Sequence, residues 1–522
     1  MKKQPASSQS QSIPRSLRRY LYFTAAITGA AILIVEILGA KMLAPYVGTS
    51  HFVWTAQIAV TLVALAIGYY FGGWLVGRST KLGRLYVCIL LAAIYLCVSV
   101  LVREPIAYAC LEFRLALGAL LTSTLLFFVP LTLLATTGPF LIRVLTQSVN
   151  AVGEQVGRLF AISTLGSVAG TVLIGYLLIP FFPNSVTMFV TSALLMLVAA
   201  GYFFIWGRKE RLQASAAIGM LIGILVGLAG IRIDSLPKES AIQEIYRANS
   251  NFGLLQVFDR TNSNRRFYLN DYLVQNTYDP AAKQSLALFT YMLHDLSRAY
   301  TKQINDVLCI GLGVGIVPMQ FAREGARVEV AEINPAVVPM AVQYFDLQPE
   351  KLNIVFGDGR YYLNRTTNRY DTIILDAFLG DSSPSHLMTR EAFGSMRRVL
   401  RPDGTVVINC FGELQAGQDF FITSLDKTLK AVFRNVRIHT AGTGNVFFVA
   451  TDQAEFKSPN APDPAQIHPS VREVVANAFS GIIQANPAHG QVLRDDFNPV
   501  DYYDAANREF IRRQLALSMR PL

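Results

Sequence analysis

The chain has 522 residues, 52% of them hydrophobic and only 16% charged, with a net charge of +10. That is too long for one ordinary domain, and too apolar for a wholly soluble or a disordered protein, since an average soluble domain has about 25% charged residues. Residues 1–233 carry 17 Lys and Arg against 5 Asp and Glu, and residues 234–522 carry 29 against 31. The basic excess therefore lies in short loops between apolar runs, and nucleic acid is not an expected partner.

Residues 1–19 are polar, contain Lys2, Lys3, Arg15, Arg18 and Arg19, and read as a cytoplasmic tail. No small-residue cleavage site follows the first apolar run, which is expected to be an uncleaved signal anchor. A spanning helix needs about 20 mostly apolar residues. Candidates lie near 20–40, 53–77, 83–102, 115–135, 157–180, 185–206 and 213–233, giving an all-α membrane domain of seven spans over 20–233. The fourth is expected to continue past Pro130 and Gly138-Pro139 as a half-helix to about 147. The distribution of basic residues places the N-terminus in the cytoplasm of a cell (inner) membrane protein. Seven spans then put residues 234–522 outside. Glu36, within the first span, is either functional or a residue near the helix end that pairs with Lys41 or reaches the interface. Gly68/Gly72, Gly166/Gly170 and Gly219/Gly223/Gly227 are expected to let helices approach closely.

Five cysteines make no disulfide framework. No CxxC pair or His/Cys cluster has zinc spacing, so no metal is expected. From about 244 the pattern changes. Residues 252–258 and 266–275 around the turn TNSNRR read as a β-hairpin, within a hairpin region of 244–277. Residues 281–298 have helical spacing. Strands at 306–311, 327–332, 352–356, 371–376 and 404–411 then alternate with helices at 315–323, 335–345 and 389–400. A helix at 418–431 and strands at 435–440 and 445–450 follow. This alternation predicts an α/β, Rossmann-like, doubly wound and mostly parallel sheet over 278–455, then a loop at 455–468 and a mostly helical tail over 469–522.

The local motif with most chemistry is Gly311-Leu-Gly313-Val-Gly315, which follows one strand and opens a helix. Glycines there let backbone approach a nucleoside or its attached chain. Glu332 ends the next strand about 20 residues on, where an acid accepts both ribose hydroxyls. Asp358-Gly359 follows the third strand, where an acid contacts an adenine amino group or caps a helix. Asp376 ends the fourth. All four features fall at the carboxyl ends of strands, where open α/β sheets bind ligands.

With these residues in view, 245–450 resembles the spermidine synthase (polyamine aminopropyltransferase) family. The likeness lies in Asn270-Asp271…Gln275, the glycine loop, Val330-Ala331-Glu332-Ile333, Gly357-Asp358-Gly359, Tyr370-Asp371…Asp376, the run from Pro384 to Phe393, and Leu400-Arg-Pro-Asp-Gly404. Residues 157–181 and the Glu36 region resemble the helices fused to such domains in larger bacterial members. The resemblance implies aminopropyl transfer from decarboxylated S-adenosylmethionine to an amine such as putrescine, with release of methylthioadenosine. It implies Asp376 as the catalytic acid, Glu332 as the ribose ligand, Asp358 and Gly359 as the adenine contact, and Gln275, Asp271 and Asp381 on the amine side. It also implies a homodimer.

The departures from the family are on the amine side. The family's glycine-loop Asp is Val314, its first-strand Gln is Gly253, its Leu-Asp-Gly reads Asn270-Asp271-Tyr272, its Tyr-His-Glu aligns to Phe289-Thr290-Tyr291, and its Ser-Asp-Pro becomes Ala377-Phe378. His386 is either a direct participant or part of a loop and helix start. Two readings stay open. One is a membrane-anchored aminopropyltransferase, or a methyltransferase using ordinary S-adenosylmethionine, whose use of an acid two residues before Gly311 is not matched by Cys309. The other is a non-catalytic sensor or transporter of nucleosides or polyamines.

Overall fold

Long uncharged runs satisfy their backbone only as helices where water is excluded, and the described residues between 13 and 235 are mostly helical. The computed structural model describes residues 13–48, 51–146, 152–208, 210, 212–235, 242–260, 262–271, 273–378, 384–415, 417–442, 444–456 and 462–503. Two units are distinguished, Met1–Lys238 and Glu239–Leu522. In the first, six helices are long and apolar enough to cross a membrane: α1 Arg15–Val47, α2 Val53–Arg78, α3 Leu82–Cys110, α4 Ala116–Leu145, α5 Val152–Phe181 and α6 Asn184–Ile205. The seventh expected span coincides with α7 Gln213–Ser235. Its described apolar stretch, Ala216–Gly230, is shorter than the other six.

The fourth span continues past Pro130 and Gly138-Pro139 to Leu145, with a π-turn at Thr124–Phe128 and a turn at Thr136 before its last stretch, Thr137–Leu145. Pro130 has no N–H for the carbonyl of Leu126. Ser99 Oγ of α3 donates to that carbonyl at 2.7 Å, and the Tyr95 hydroxyl donates to the Leu125 carbonyl at 2.7 Å. Neighbouring side chains thus replace the lost backbone bond.

The small-residue spacings largely serve packing. Gly166 and Gly170 of α5 lie against the backbone of Ala26 and Ala30 of α1, and Ser167 Oγ donates to the Gly29 carbonyl at 3.0 Å. Gly68 and Gly72 of α2 meet Thr132 and Thr136 of α4, and Gly219 and Gly223 face Leu90 and Met196, whereas Gly227 faces no atom within 4 Å.

The second unit holds two sheets. The first is an antiparallel meander of β1 Ile242–Ser250, β2 Gly253–Arg260, β3 Arg265–Asn270, β4 Leu273–Asp279 and β5 Gln284–Ser285, in that order. The expected strand 266–275 is therefore two strands, because the chain reverses at Asp271, which adopts φ 45°. Asp tolerates the left-handed region better than most residues. The helix expected from 281 begins only at Leu288, as α8 Leu288–Tyr300, after a turn with Lys283 at φ 54° and the short β5.

The second sheet has eight strands: β6 Asp306–Ile310, β7 Arg327–Glu332, β8 Asn353–Phe356, β9 Tyr370–Leu375, β10 Leu400–Phe411, β11 Asn435–Thr440, β12 Asn445–Thr451 and β13 Ile482–Ile483. Their spatial order is β13-β11-β12-β10-β9-β6-β7-β8. Strands β10, β9, β6, β7 and β8 are parallel, and β12, β11 and β13 add antiparallel. Helices cover both faces, with Phe321, Val330 and Phe447 in one core and Phe393, Ile408 and Phe448 in the other. This is a Rossmann-like doubly wound sheet, and the strand order reverses between β6 and β9. The tail after 469 supplies one helix, Arg472–Ser480, the edge strand β13 and the short helix Val500–Tyr503.

A side chain at Gly166 would collide with α1 backbone, whereas nothing lies within 4 Å of Gly157, about two and a half turns earlier. Gly166→Leu is expected to cost at least about 1–3 kcal/mol and to lower the thermal midpoint of the detergent-solubilised chain. Gly157→Leu is expected to stay within about 0.5 kcal/mol of the parent.

Candidate active site

The strand-order reversal opens a crevice at the carboxyl ends of β6 and β9, as in other open α/β sheets. The cleft there has about 1270 Å³ of empty space including its open mouth, and is lined by Gly311, Gly313, Glu332, Asp358, Gly359 and Asp376 among others.

The glycine loop leaves β6 with all three glycines at positive φ, 98°, 55° and 84°. At Gly311 the reason is contact. A Cβ there would run into the Asp376 carbonyl, because the Asp376 amide donates to the Ile310 carbonyl at 3.0 Å. Gly315 does not line the cleft; it caps the helix Ile316–Arg323 in the left-handed conformation. Val314 is buried and forms apolar wall.

Glu332 is only 7% exposed. One carboxylate oxygen accepts from the Leu312 amide at 2.8 Å and the other from the Asn334 amide at 2.7 Å. Burial pushes its carboxyl above the usual range, and the amides of Asn334, Leu312 and Ile333 oppose that. Each oxygen keeps a lone pair, so a vicinal diol could donate to both.

Asp358 performs one of the two jobs weighed from the sequence, the helix cap. Its Oδ1 caps a helix, accepting from the Tyr361 amide at 2.9 Å, while Oδ2 lies 2.9 Å from His386 Nε2. Burial would raise its carboxyl, but the Tyr361 amide and His386 outweigh that and hold it below its ordinary value. His386 is thus placed against Asp358. Arg360 fixes the same loop, donating to the His386 carbonyl at 3.1 Å.

Asp376 has the opposite environment. Packing around the base of the cleft pushes its carboxyl up to about 6, opposed only by a hydrogen bond from Asn409 Nδ2 at 2.9 Å. Asn409 in turn accepts from Asn445 Nδ2 at 2.8 Å. The sequence reading missed both asparagines. The available signal was Asn409 itself, a polar residue in the apolar run Val406-Val407-Ile408.

The meander supplies the wall facing Asp376's side of the cleft. Asn270, Gln275 and Asn276 line it, and Phe289 and Thr290 come from α8. Asn270 and Asn276 are each 5% exposed, and their Oδ1 atoms accept no hydrogen bond. Phe378 and Phe411 meet edge to face, centroids 5.4 Å apart, in the same lining. Asp271 does not line the cleft. Its carboxylate accepts from the Leu254 amide at 2.9 Å and so holds the turn that presents Asn270. Asp381 lies outside the described residues.

Asp376 carries a folded-state pKa above that of an unfolded Asp, so wild-type stability falls as pH rises between about 4 and 6. Asp376→Asn keeps the acceptor for Asn409 and removes this loss. The variant is expected to match wild type near pH 4 and to exceed it by about 1–3 kcal/mol above pH 6, read from thermal unfolding across pH.

Residues 287–452 match the family model described as spermine/spermidine synthase domain. An N-terminal histidine N-methyltransferase of Emericella nidulans is 27% identical over 230 residues, 40% of this chain and 40% of that protein. A polyamine aminopropyltransferase of Vibrio vulnificus is 39% identical over 111 residues, 20% of this chain and 37% of that protein. The chain therefore spans well under half the length of these two relatives. A probable spermidine synthase structure from Corynebacterium glutamicum, 17% identical, covers 49% of this chain and 96% of its own, with a TM-score of 0.38. The second unit of this chain thus carries, in residues 287–452, a spermine/spermidine synthase domain.

Proposed function

We propose that the chain is a membrane-anchored aminopropyltransferase that moves an aminopropyl group from decarboxylated S-adenosylmethionine to an amine such as putrescine. The observation that carries this reading is Asp376, the one cleft carboxylate pushed up to about 6, in a cleft that Asn270 and Asn276 also line. In the proposed step the neutral amine nitrogen attacks the propyl carbon bonded to sulfur. The carbon–sulfur bond breaks with its electron pair on sulfur, leaving methylthioadenosine, and the proton of the new ammonium passes to Asp376. A base near neutrality suits that transfer.

Glu332 would take the ribose hydroxyls, Asp358 and Gly359 the adenine, and Gly311 and Gly313 the chain beside the sulfur. Asn270 and Asn276 would accept N–H bonds from the amine, with Gln275 beside them. Asp381 is proposed on that side from the sequence. Most of the rate would come from holding nitrogen and carbon in line.

A second reading, methyl transfer from ordinary S-adenosylmethionine, is favoured by the apolar Val314 in the glycine loop and by the likeness to the Emericella methyltransferase. The released nucleoside separates the two: methylthioadenosine supports the first, S-adenosylhomocysteine the second.

Asp376→Asn is expected to lower kcat/KM by about 10²–10⁴-fold while leaving nucleoside binding intact. Unchanged turnover would remove Asp376 as the base. Wild-type activity should rise with pH through about 6, the value at which Asp376 ionises. Asn409→Leu, which removes the bond that lowers this carboxyl, should move that limb to higher pH in a kcat/KM profile.

The donor is made in the cytoplasm, so we propose that the second unit faces it. With a cytoplasmic N-terminus this needs an even number of crossings, which the six long helices supply. A C-terminal reporter active only in the cytoplasm should therefore be active. Activity of an outside-only reporter instead would restore α7 as a seventh crossing and overturn the placement.

A further inference from the structure

In the first unit, polar side chains are gathered where α1, α2 and α4 meet. Glu36 is part-buried in α1, and the Thr61 hydroxyl of α2 reaches its carboxyl. That hydroxyl also donates to the Gln57 carbonyl at 2.9 Å. Its single proton serves one acceptor at a time. One turn along the same α1–α2 line, the Gln57 side chain lies against Gly39. Gln57 is fully buried, and neither its Oε1 nor its Nε2 has a hydrogen-bond partner.

α4 adds a third wall. Gly68 and Gly72 of α2 meet Thr132 and Thr136 of α4. Ser123 of α4 is fully buried too, and its Oγ has no partner. Thr132 and Thr137, further along α4, also keep partnerless hydroxyls. Among the described residues Lys41 makes no ion pair with Glu36.

Unsatisfied polar atoms cost about 1–3 kcal/mol each, and intramembrane acids face partners or pathways. We propose that unit 1 binds a small monovalent metal cation of the sodium class between Glu36 and Gln57. The donor atoms are the carboxylate and amide oxygens, which suit a hard cation and not a transition metal. A single carboxylate balances a single positive charge, so the filled site is neutral in lipid, whereas a divalent ion would leave a net charge. This site is independent of the transferase reading.

The test is equilibrium binding of radioactive sodium ion to the full chain in detergent micelles, with choline and putrescine as competitors. Wild type should bind saturably and resist both competitors. Glu36→Gln should weaken binding by at least about 100-fold, and Gln57→Leu by about tenfold, or 1.4 kcal/mol. Sodium chloride should raise the wild-type thermal midpoint above that in equal choline chloride, and this gain should vanish in Glu36→Gln. Gln57→Leu in sodium-free buffer should be at least as stable as wild type, so its loss of binding would not be misfolding. No saturable sodium binding, binding unchanged in Glu36→Gln, or displacement by putrescine would overturn the proposal.

Discussion

The cleft depends on one close approach of backbone to backbone. β6 and β9 pair in parallel at the point where the sheet reverses its winding, and the chain after β9 crosses directly over the first glycine after β6. Only a residue without a Cβ lets the Asp376 carbonyl sit there. Once it does, the loops after β6 and β9 part in opposite directions and leave a crevice between them. The amide of Leu312 is brought to Glu332 at the end of β7. The same arrangement places Asp376 at the base of the cleft, where packing keeps its charge costly.

Three acids then differ only by what surrounds them. Glu332 and Asp358 are each held by backbone amides, and Asp358 also by His386. Their protein bonds fix their orientation, as binding groups require. Asp376 has one amide side-chain partner and a carboxyl shifted toward neutrality. Burial pushes Glu332 up as well, and Asp376 differs from it in having one side-chain partner in place of two backbone amides. The same cleft is lined by the amide residues Asn270 and Asn276 and by Phe289, Phe378 and Phe411, side chains that bring no further negative charge.

The parallel strands were legible because burial on both faces makes them short unbroken apolar runs; Arg327–Glu332 lies where the sequence placed it. The acids and glycines of the cleft were legible because they stand at the ends of those runs. What stayed hidden depended on contacts made across the fold. The break at Asp271 turns on an amide from Leu254, seventeen positions away. The late start of α8 reflects a turn and a two-residue strand that pair with β4. Asn409 acquires its meaning only when β10 is laid beside β9, four strands from the glycine loop in sequence but adjacent to Asp376 in space. Periodicity reports the face a residue occupies and says nothing of the partner opposite.

The same distinction orders the helical unit. Pro130 looked like a break from sequence alone, yet the carbonyls it disturbs are met by Tyr95 and Ser99 of α3. Most of the unit's other hydroxyls follow the same habit: Thr24, Thr28, Thr122, Thr191 and Ser192 each donate to a carbonyl of their own helix. These groups are satisfied locally and need nothing from outside. Gln57, Ser123, Thr132 and Thr137 depart from that habit, and Gln57 does so about one turn from the one acid in the interior of α1. A side-chain amide has two donors and an acceptor and cannot close them on its own helix as a hydroxyl does. Placed beside an intramembrane carboxylate, it is more costly to the fold than a leucine of similar size unless something is coordinated there. That cost, set against the thrift of the surrounding hydroxyls, is what separates a functional cluster from ordinary helix packing in this bundle.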